Sequence, residues 1–112
     1  MVSKGEIWLA NLNPQKRSNE VGKTRPVLIF QGDVLNHSAY GTVVVLPLTT
    51  QRIDDAEPLR MRLAKRGNLR EDSDVLIAQI RAIDRDRLIE KIADATADEV
   101  QKAHRLLDEI LE

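Results

Sequence analysis

Cysteine is absent from this chain, and with it go disulfides, thiolate metal sites and thiol nucleophiles. Histidine is scarce: His37 and His104 stand far apart without ligand spacing, so neither a metal site nor any other cofactor is expected. Both are read as solvated, His104 on the polar face of a terminal helix. Aromatic residues are limited to Trp8, Phe30 and Tyr40, which leaves Val, Leu and Ile to fill an interior; Trp8 is read as core or dimer packing. No apolar run is long enough to cross a membrane. Met1-Val2-Ser3-Lys4 leads into a charged strand, so no signal peptide or membrane contact is expected, and the expected location is the cytoplasm.

A strong excess of one charge is missing too, since the formal net charge is −1. That sum hides an asymmetry. Residues 1–52 hold six Lys or Arg against three acids, whereas residues 53–112 hold eleven against fifteen. An anionic ligand therefore favours the N-terminal half. With 112 residues, 42% of them apolar, the chain is long enough for a single domain over 1–112 with one core. A chain this short often gains stability by pairing with its own copy, so a homodimer is expected.

The segment Lys16 to Phe30 passes directly from polar and cationic to apolar and β-branched. Pro26 fixes its own φ and pushes Arg25 out of the α region, so Arg25 is presented from extended backbone at a rigid strand edge. A guanidinium held there is well placed to meet a phosphate. The alternative for Arg25 is a surface ion pair with Glu6 or Glu20.

Along the chain, Gly5–Ala10, Val27–Phe30 and Thr42–Leu48 read as strands, the segment 31–41 as a loop with one helical turn near Val34. Leu59-Arg60-Met61-Arg62-Leu63 alternates strictly, a half-exposed strand whose arginines face away from the core. Gly67-Asn68 is a turn. Asp74–Ile83 alternates as a further strand or hairpin arm carrying Gln79 and Arg81 on one face. Asp84 is expected to cap a short helix in which Leu88 packs. Thr96-Ala97-Asp98-Glu99 reads as a capping box, and Val100, Ala103, Leu107, Ile110 and Leu111 recur at helical spacing. Several short strands and a terminal helix predict a mostly β fold with α: a small β-barrel with a C-terminal amphipathic helix and one or two short helices.

Gly5-Glu6-Ile7-Trp8-Leu9, Leu12-Asn13-Pro14, Gly22-Lys23-Thr24-Arg25-Pro26-Val27-Leu28, Pro47-Leu48-Thr49-Thr50 and Gln79-Ile80-Arg81-Ala82-Ile83-Asp84 resemble, in order and spacing, the signatures of the MazF/PemK (Kid-like) toxin family. The resemblance implies a dimer of SH3-like barrels that cleaves single-stranded RNA at short sequence motifs and is blocked by a cognate antitoxin. It implies a metal-free reaction in which the substrate's 2′-OH attacks the adjacent phosphorus, leaving a 2′,3′-cyclic phosphate and a 5′-OH. An acidic, partly disordered antitoxin segment is the expected inhibitor.

Such a reaction needs a proton acceptor, a proton donor and positive charge at the phosphorus. Arg25 matches the family arginine and suits phosphate stabilisation, because a guanidinium holds two oxygens and stays protonated. Thr49 matches the family Thr/Ser and can donate its hydroxyl, with Thr50 a second candidate. Thr49 read alone is a strand-end capping threonine. Glu20 falls where many members carry an acid and stands between a solvated loop charge and a participant that accepts a proton or orients Arg25. Lys16, Arg17, Asn19, Lys23, Thr50, Gln51, Gln79 and Arg81 are the candidates for RNA contact. Gln79 stands between pairing with a neighbouring strand and reading a base edge.

Two departures matter. The loop reads Lys16-Arg17-Ser18-Asn19-Glu20-Val21 in place of a Lys-Gly-Ser-Glu-Gln-like run, and Ala78 stands where several members have an acid before the Gln-Ile-Arg motif. A carboxylate mechanism at position 78 is thereby excluded. Two other readings stay open: a gyrase-binding toxin of the CcdB type, which shares the architecture and cleaves nothing, and a non-cleaving homologue that binds RNA or antitoxin.

Overall fold

The computed structural model describes residues 1–12 and 24–112. Its strands are β1 (Glu6–Asn11), β2 (Thr24–Ile29), β3 (Thr42–Thr49), β4 (Arg60–Leu63), β5 (Ser73–Leu76), β6 (Arg81–Asp84) and β7 (Leu88–Asp94). A single helical turn, α1 (Asp33–Asn36), joins β2 to β3, and α2 (Ala97–Leu111) follows β7. The strands form one antiparallel seven-stranded sheet in the order β4-β5-β3-β2-β1-β7, with β6 also paired to β3. A mostly β fold with a C-terminal amphipathic helix and short helical turns is thus what the chain adopts. Among the described residues strand pairing does not close the barrel: β4 and β7 end the path, and the turn following β4 meets β7 where the Asn68 N–H donates to the Ile92 carbonyl at 2.8 Å.

Alternation divides the apolar residues between two faces. Leu28, Phe30, Leu46, Leu48, Met61, Leu63 and Val75 point to one side, where Ala103 and Leu106 of α2 cover them. Val27, Ile29, Val43, Val45 and Ile83 point to the other, packed with Val2, Ala10, Trp8 and Leu88. Each fully buried Leu, Ile or Val contributes about 1.5–3 kcal/mol. The capping box forms as expected: the Glu99 N–H donates to Thr96 Oγ1 at 3.1 Å, and the Thr96 N–H donates to Glu99 Oε1 at 2.8 Å. A cap of this kind is worth about 1 kcal/mol.

β3 changes partner along one edge. Thr42–Val45 pair with β6, and Leu48 and Thr49 pair with β5. Pro47, which has no N–H to give a ladder, sits at the switch. The expected single strand over Asp74–Ile83 is therefore two strands separated by the 3₁₀ turn Ile77–Gln79, which buries Ile77 and moves Gln79 off the strand. The helix expected from Asp84 is only the 3₁₀ turn Arg85–Arg87; Asp84 makes no side-chain cap and instead lies 3.8 Å from Arg87. Beyond it Leu88–Asp94 forms β7, drawn into the sheet by the free edge of β1 despite its weak apolar pattern.

One further reading is corrected: Leu111 lies 70% exposed at the last turn of α2 rather than on its core face. His104 is exposed, as expected, and also makes contacts: its ring lies 4.3 Å from that of Phe30, and its Nε2 is 2.7 Å from Lys4 Nζ. Burial, with Lys4 adding, lowers its pKa and favours the neutral ring. Trp8 packs against the second apolar face and donates its Nε1–H to Glu6 at 2.9 Å. Among the described residues no helix is long and apolar enough to cross a membrane.

Candidate nucleic-acid interface

The partner switch of β3 leaves a cleft between β5 and β6. It has a volume of about 470 Å³ and is lined by Leu12, Arg25, Pro47, Leu48, Thr49, Gln51, Arg60, Leu76, Gln79 and Arg81. Three of these side chains are guanidiniums, and none is a carboxylate. A smaller hollow of about 190 Å³ shares Arg25 and Thr49 and adds Thr24, Pro26, Thr50 and Ser73.

Strand register explains the convergence. Val27↔Pro47 and Leu28↔Leu46 pair across β2 and β3, so Arg25 and Thr49, two residues outward from the last pair, both reach the cleft. Arg25 shares the face of Val27, so its side chain extends beyond the apolar surface at the end of the strand. Arg81 pairs with Val45 and emerges on the same side. The Gln51 N–H donates to Thr49 Oγ1 at 3.2 Å, which holds that oxygen while leaving its proton to give.

Arg25, Thr49, Gln51, Gln79 and Arg81 therefore come together as expected of one site, with Thr50 beside them. The expected common face for Gln79 and Arg81 is replaced by a common cleft, reached from a turn and a strand start. Glu20, Lys16, Arg17, Asn19 and Lys23 lie outside the described residues. Glu6 does not pair with Arg25; its carboxylate lies 3.4 Å from Lys91. Among the described residues the Arg25 guanidinium has no hydrogen-bond or ion-pair partner.

Arg60 and Asp74 belong to this region and were missed. Asp74 is 1% exposed and accepts from the Ile53 N–H at 2.8 Å, Arg60 Nη1 at 3.2 Å and Arg62 Nε at 2.7 Å. Burial works to raise its pKa, but Arg62, the Ile53 N–H and Arg60 outweigh it and hold Asp74 below the ordinary carboxylate range. The signal in the sequence was an acid directly before the apolar Val75-Leu76-Ile77, preceded by the alternating Arg60 and Arg62. A larger hollow of about 700 Å³ lies beyond Arg60, lined by Asp54, Asp55, Glu57 and Asp74 as well as Arg60 and Arg62. Its carboxylates repel phosphate, so size does not make it the anion site. Among the described residues no group of three or more His, Asp or Glu side chains is arranged to hold a metal ion.

A cleft with three guanidiniums, a hydroxyl and two amides is chemically fitted to a polyanionic strand. A model of the PemK-like, MazF-like toxins of type II toxin-antitoxin systems matches residues 3–111, and the chain belongs to that family. An endoribonuclease MazF of Staphylococcus saprophyticus is 34% identical over 110 residues, covering 96% of this chain and 89% of that protein. The Mycobacterium tuberculosis toxin MazF-mt6 shares the fold, with a TM-score of 0.77, 22% identity and 95% of each chain covered. So does a mycobacterial endoribonuclease solved in complex with its cognate antitoxin, with a TM-score of 0.77, 20% identity, and 99% and 95% covered.

Proposed function

We propose that this toxin is an endoribonuclease that cuts single-stranded RNA by attack of the 2′-OH on the adjacent phosphorus, without a metal, giving 2′,3′-cyclic phosphate and 5′-OH ends. The observation that carries the reading is that Arg25 and Thr49, at the ends of β2 and β3, line one cleft without carboxylates among its described lining residues. Kinship with a relative named as an endoribonuclease supports it.

In this reading Arg25 holds two non-bridging oxygens and stabilises the charge that grows as phosphorus becomes pentavalent. A guanidinium is a poor proton acceptor, so the base is sought elsewhere. Thr49 donates its hydroxyl to a phosphoryl oxygen. Glu20 is the acid that the family resemblance brings to proton transfer or to orienting Arg25. Arg81, Gln79, Gln51 and Thr50 contact the strand on either side, together with Lys16, Arg17, Asn19 and Lys23 of the preceding segment. DNA lacks the nucleophile and is not cut.

The working unit is a cytoplasmic homodimer, and an acidic antitoxin segment blocks the cleft by occupying it in place of RNA. That a structural neighbour was solved in complex with its cognate antitoxin supports an antitoxin partner. Incubating the purified dimer with a long mixed-sequence RNA and mapping the ends tests the reading. Cuts at a recurring short motif are expected, and an intact RNA overturns it. The exposed Ala78 beside Gln79 favours one other reading, RNA binding without cleavage, which predicts retention without cuts in the same assay.

A further inference from the structure

We propose that Arg60 is an RNA-binding residue of the cleft and that Asp74 is the positioning residue that aims it, an inference resting on the RNA reading above. The alternation of β4 puts Arg60 and Arg62 on one face, and the register Arg62↔Asp74 puts the Asp74 side chain on that face too. Met61 and Leu63 are buried on the opposite face, which fixes the strand against rotation.

Both N–H groups of Arg60 Nη1 are used: one reaches Asp74 Oδ2 at 3.2 Å and the other the Gln51 carbonyl at 2.8 Å. Nε–H and the two Nη2 donors remain, with no partner among the described residues, on a side chain that lines the cleft. A guanidinium with its fork pinned at one end and three donors left is prepared for a phosphate.

The charge balance points the same way. Asp74 faces two guanidiniums, and Arg62 also pairs with Asp54 at 2.8 Å, so Arg60 keeps the uncompensated share. A buried ion pair is a weak source of net stability, because desolvation offsets its attraction. What the cluster supplies instead is a fixed direction. Asp74 also accepts from the Ile53 N–H, so one carboxylate anchors both the arginine and the loop that carries Thr50 and Gln51. Arg60 stands between the cationic cleft and the acidic hollow, and the repulsion beyond it confines a bound strand to the cleft.

The test uses the full-length protein, a cleavable single-stranded RNA and its uncleavable 2′-O-methyl form. Arg60→Gln is expected to raise KM about tenfold with the loss falling on KM rather than kcat, as for one charge-assisted contact. It should also reduce the slope of log affinity against log salt for the 2′-O-methyl strand by about 0.7, one phosphate contact on a single strand. Arg60→Lys restores the slope but not the full affinity, since the fork is lost. Asp74→Asn raises KM in the wild type and adds little on top of Arg60→Gln, a non-additivity that a purely structural Asp74 would not show. If Asp74→Asn does not fold, the two Arg60 variants decide. An unchanged KM and salt slope in folded Arg60→Gln overturns the proposal. A wild type that binds the strand without cutting RNA defeats the cleavage reading alone and leaves Arg60 to be judged by the slope; one that does neither defeats both.

Discussion

Arg25, second residue of β2, and Thr49, last residue of β3, line one cleft, each two residues outward from the Val27↔Pro47 pair. Neither residue type is unusual at a strand end. In the proposed reading their meeting in one cleft sets a cation and a hydroxyl donor on one phosphate, with Pro26 stiffening the arginine's backbone.

Arg25→Ala should abolish RNA cleavage and growth toxicity while the fold is kept, because Arg25 is exposed and bonded to no described residue. Loss of one such charge-stabilising group lowers kcat by about 10²- to 10³-fold or more. Thr49→Val should fall by a similar order and Thr49→Ser should retain most activity, since the hydroxyl is what is used. Single-turnover cleavage with circular dichroism of each variant measures both; full cleavage by folded Arg25→Ala removes it from the site.

The proposed chemistry requires the ribose 2′-OH and no added ion. Cleavage in excess chelator should equal that in Mg²⁺, product ends should be cyclic phosphates, and a substrate with a single 2′-deoxy at the cut should remain intact. A strict need for Mg²⁺ would refute the proposed route.

Local pattern carried much of the site and less of the fold. Arg25 and Thr49 were legible because a proline and a β-branched run fix strand ends with few neighbours to consult. Gln79 and Arg81 were legible as a pair, but not as turn and strand, because the break at Ile77 is set by β3 exchanging β6 for β5. β7 was illegible for a related reason: Ile89, Glu90 and Lys91 are all exposed, and pairing with β1 decides their conformation. Arg60 was read correctly as facing away from the core. That this direction leads to a buried carboxylate depends on the long-range register of β4 on β5.

Gly67 shows how closely the open barrel is drawn together. Its φ is +53°, and an added Cβ would lie 2.9 Å from the Ile92 carbonyl oxygen, the acceptor of the Asn68 N–H. Gly67→Ala therefore meets left-handed strain and a backbone clash together, a cost of about 1–3 kcal/mol. Urea denaturation should show that loss, with kcat of the folded protein unchanged because the turn is remote from the cleft. Wild-type stability in the variant would mean that the contact between the turn and β7 is loose.

Acid sensitivity should trace in part to Glu99. Its carboxylate receives Arg66 in a two-point ion pair, Nη2 to Oε2 at 2.8 Å and Nη1 to Oε1, and closes the capping box of α2. The Arg66 contact is the larger cause of its lowered pKa, opposed by burial and helped by the Thr96 N–H. Because the folded pKa lies below the unfolded value of about 4.3, this stabilisation is fully present above that value and is lost as pH falls through the folded one. Glu99→Gln keeps a capping side chain and removes the charge. It should be less stable than the wild type by about 1–2 kcal/mol at neutral pH, the scale of one partly buried charge-assisted contact. The gap should close as pH falls below the unfolded value and through the lowered folded one, as the wild-type carboxylate protonates. Thermal denaturation of both proteins across that range measures it, and a gap that stays constant into acid would show that the Arg66 pair contributes nothing to the fold.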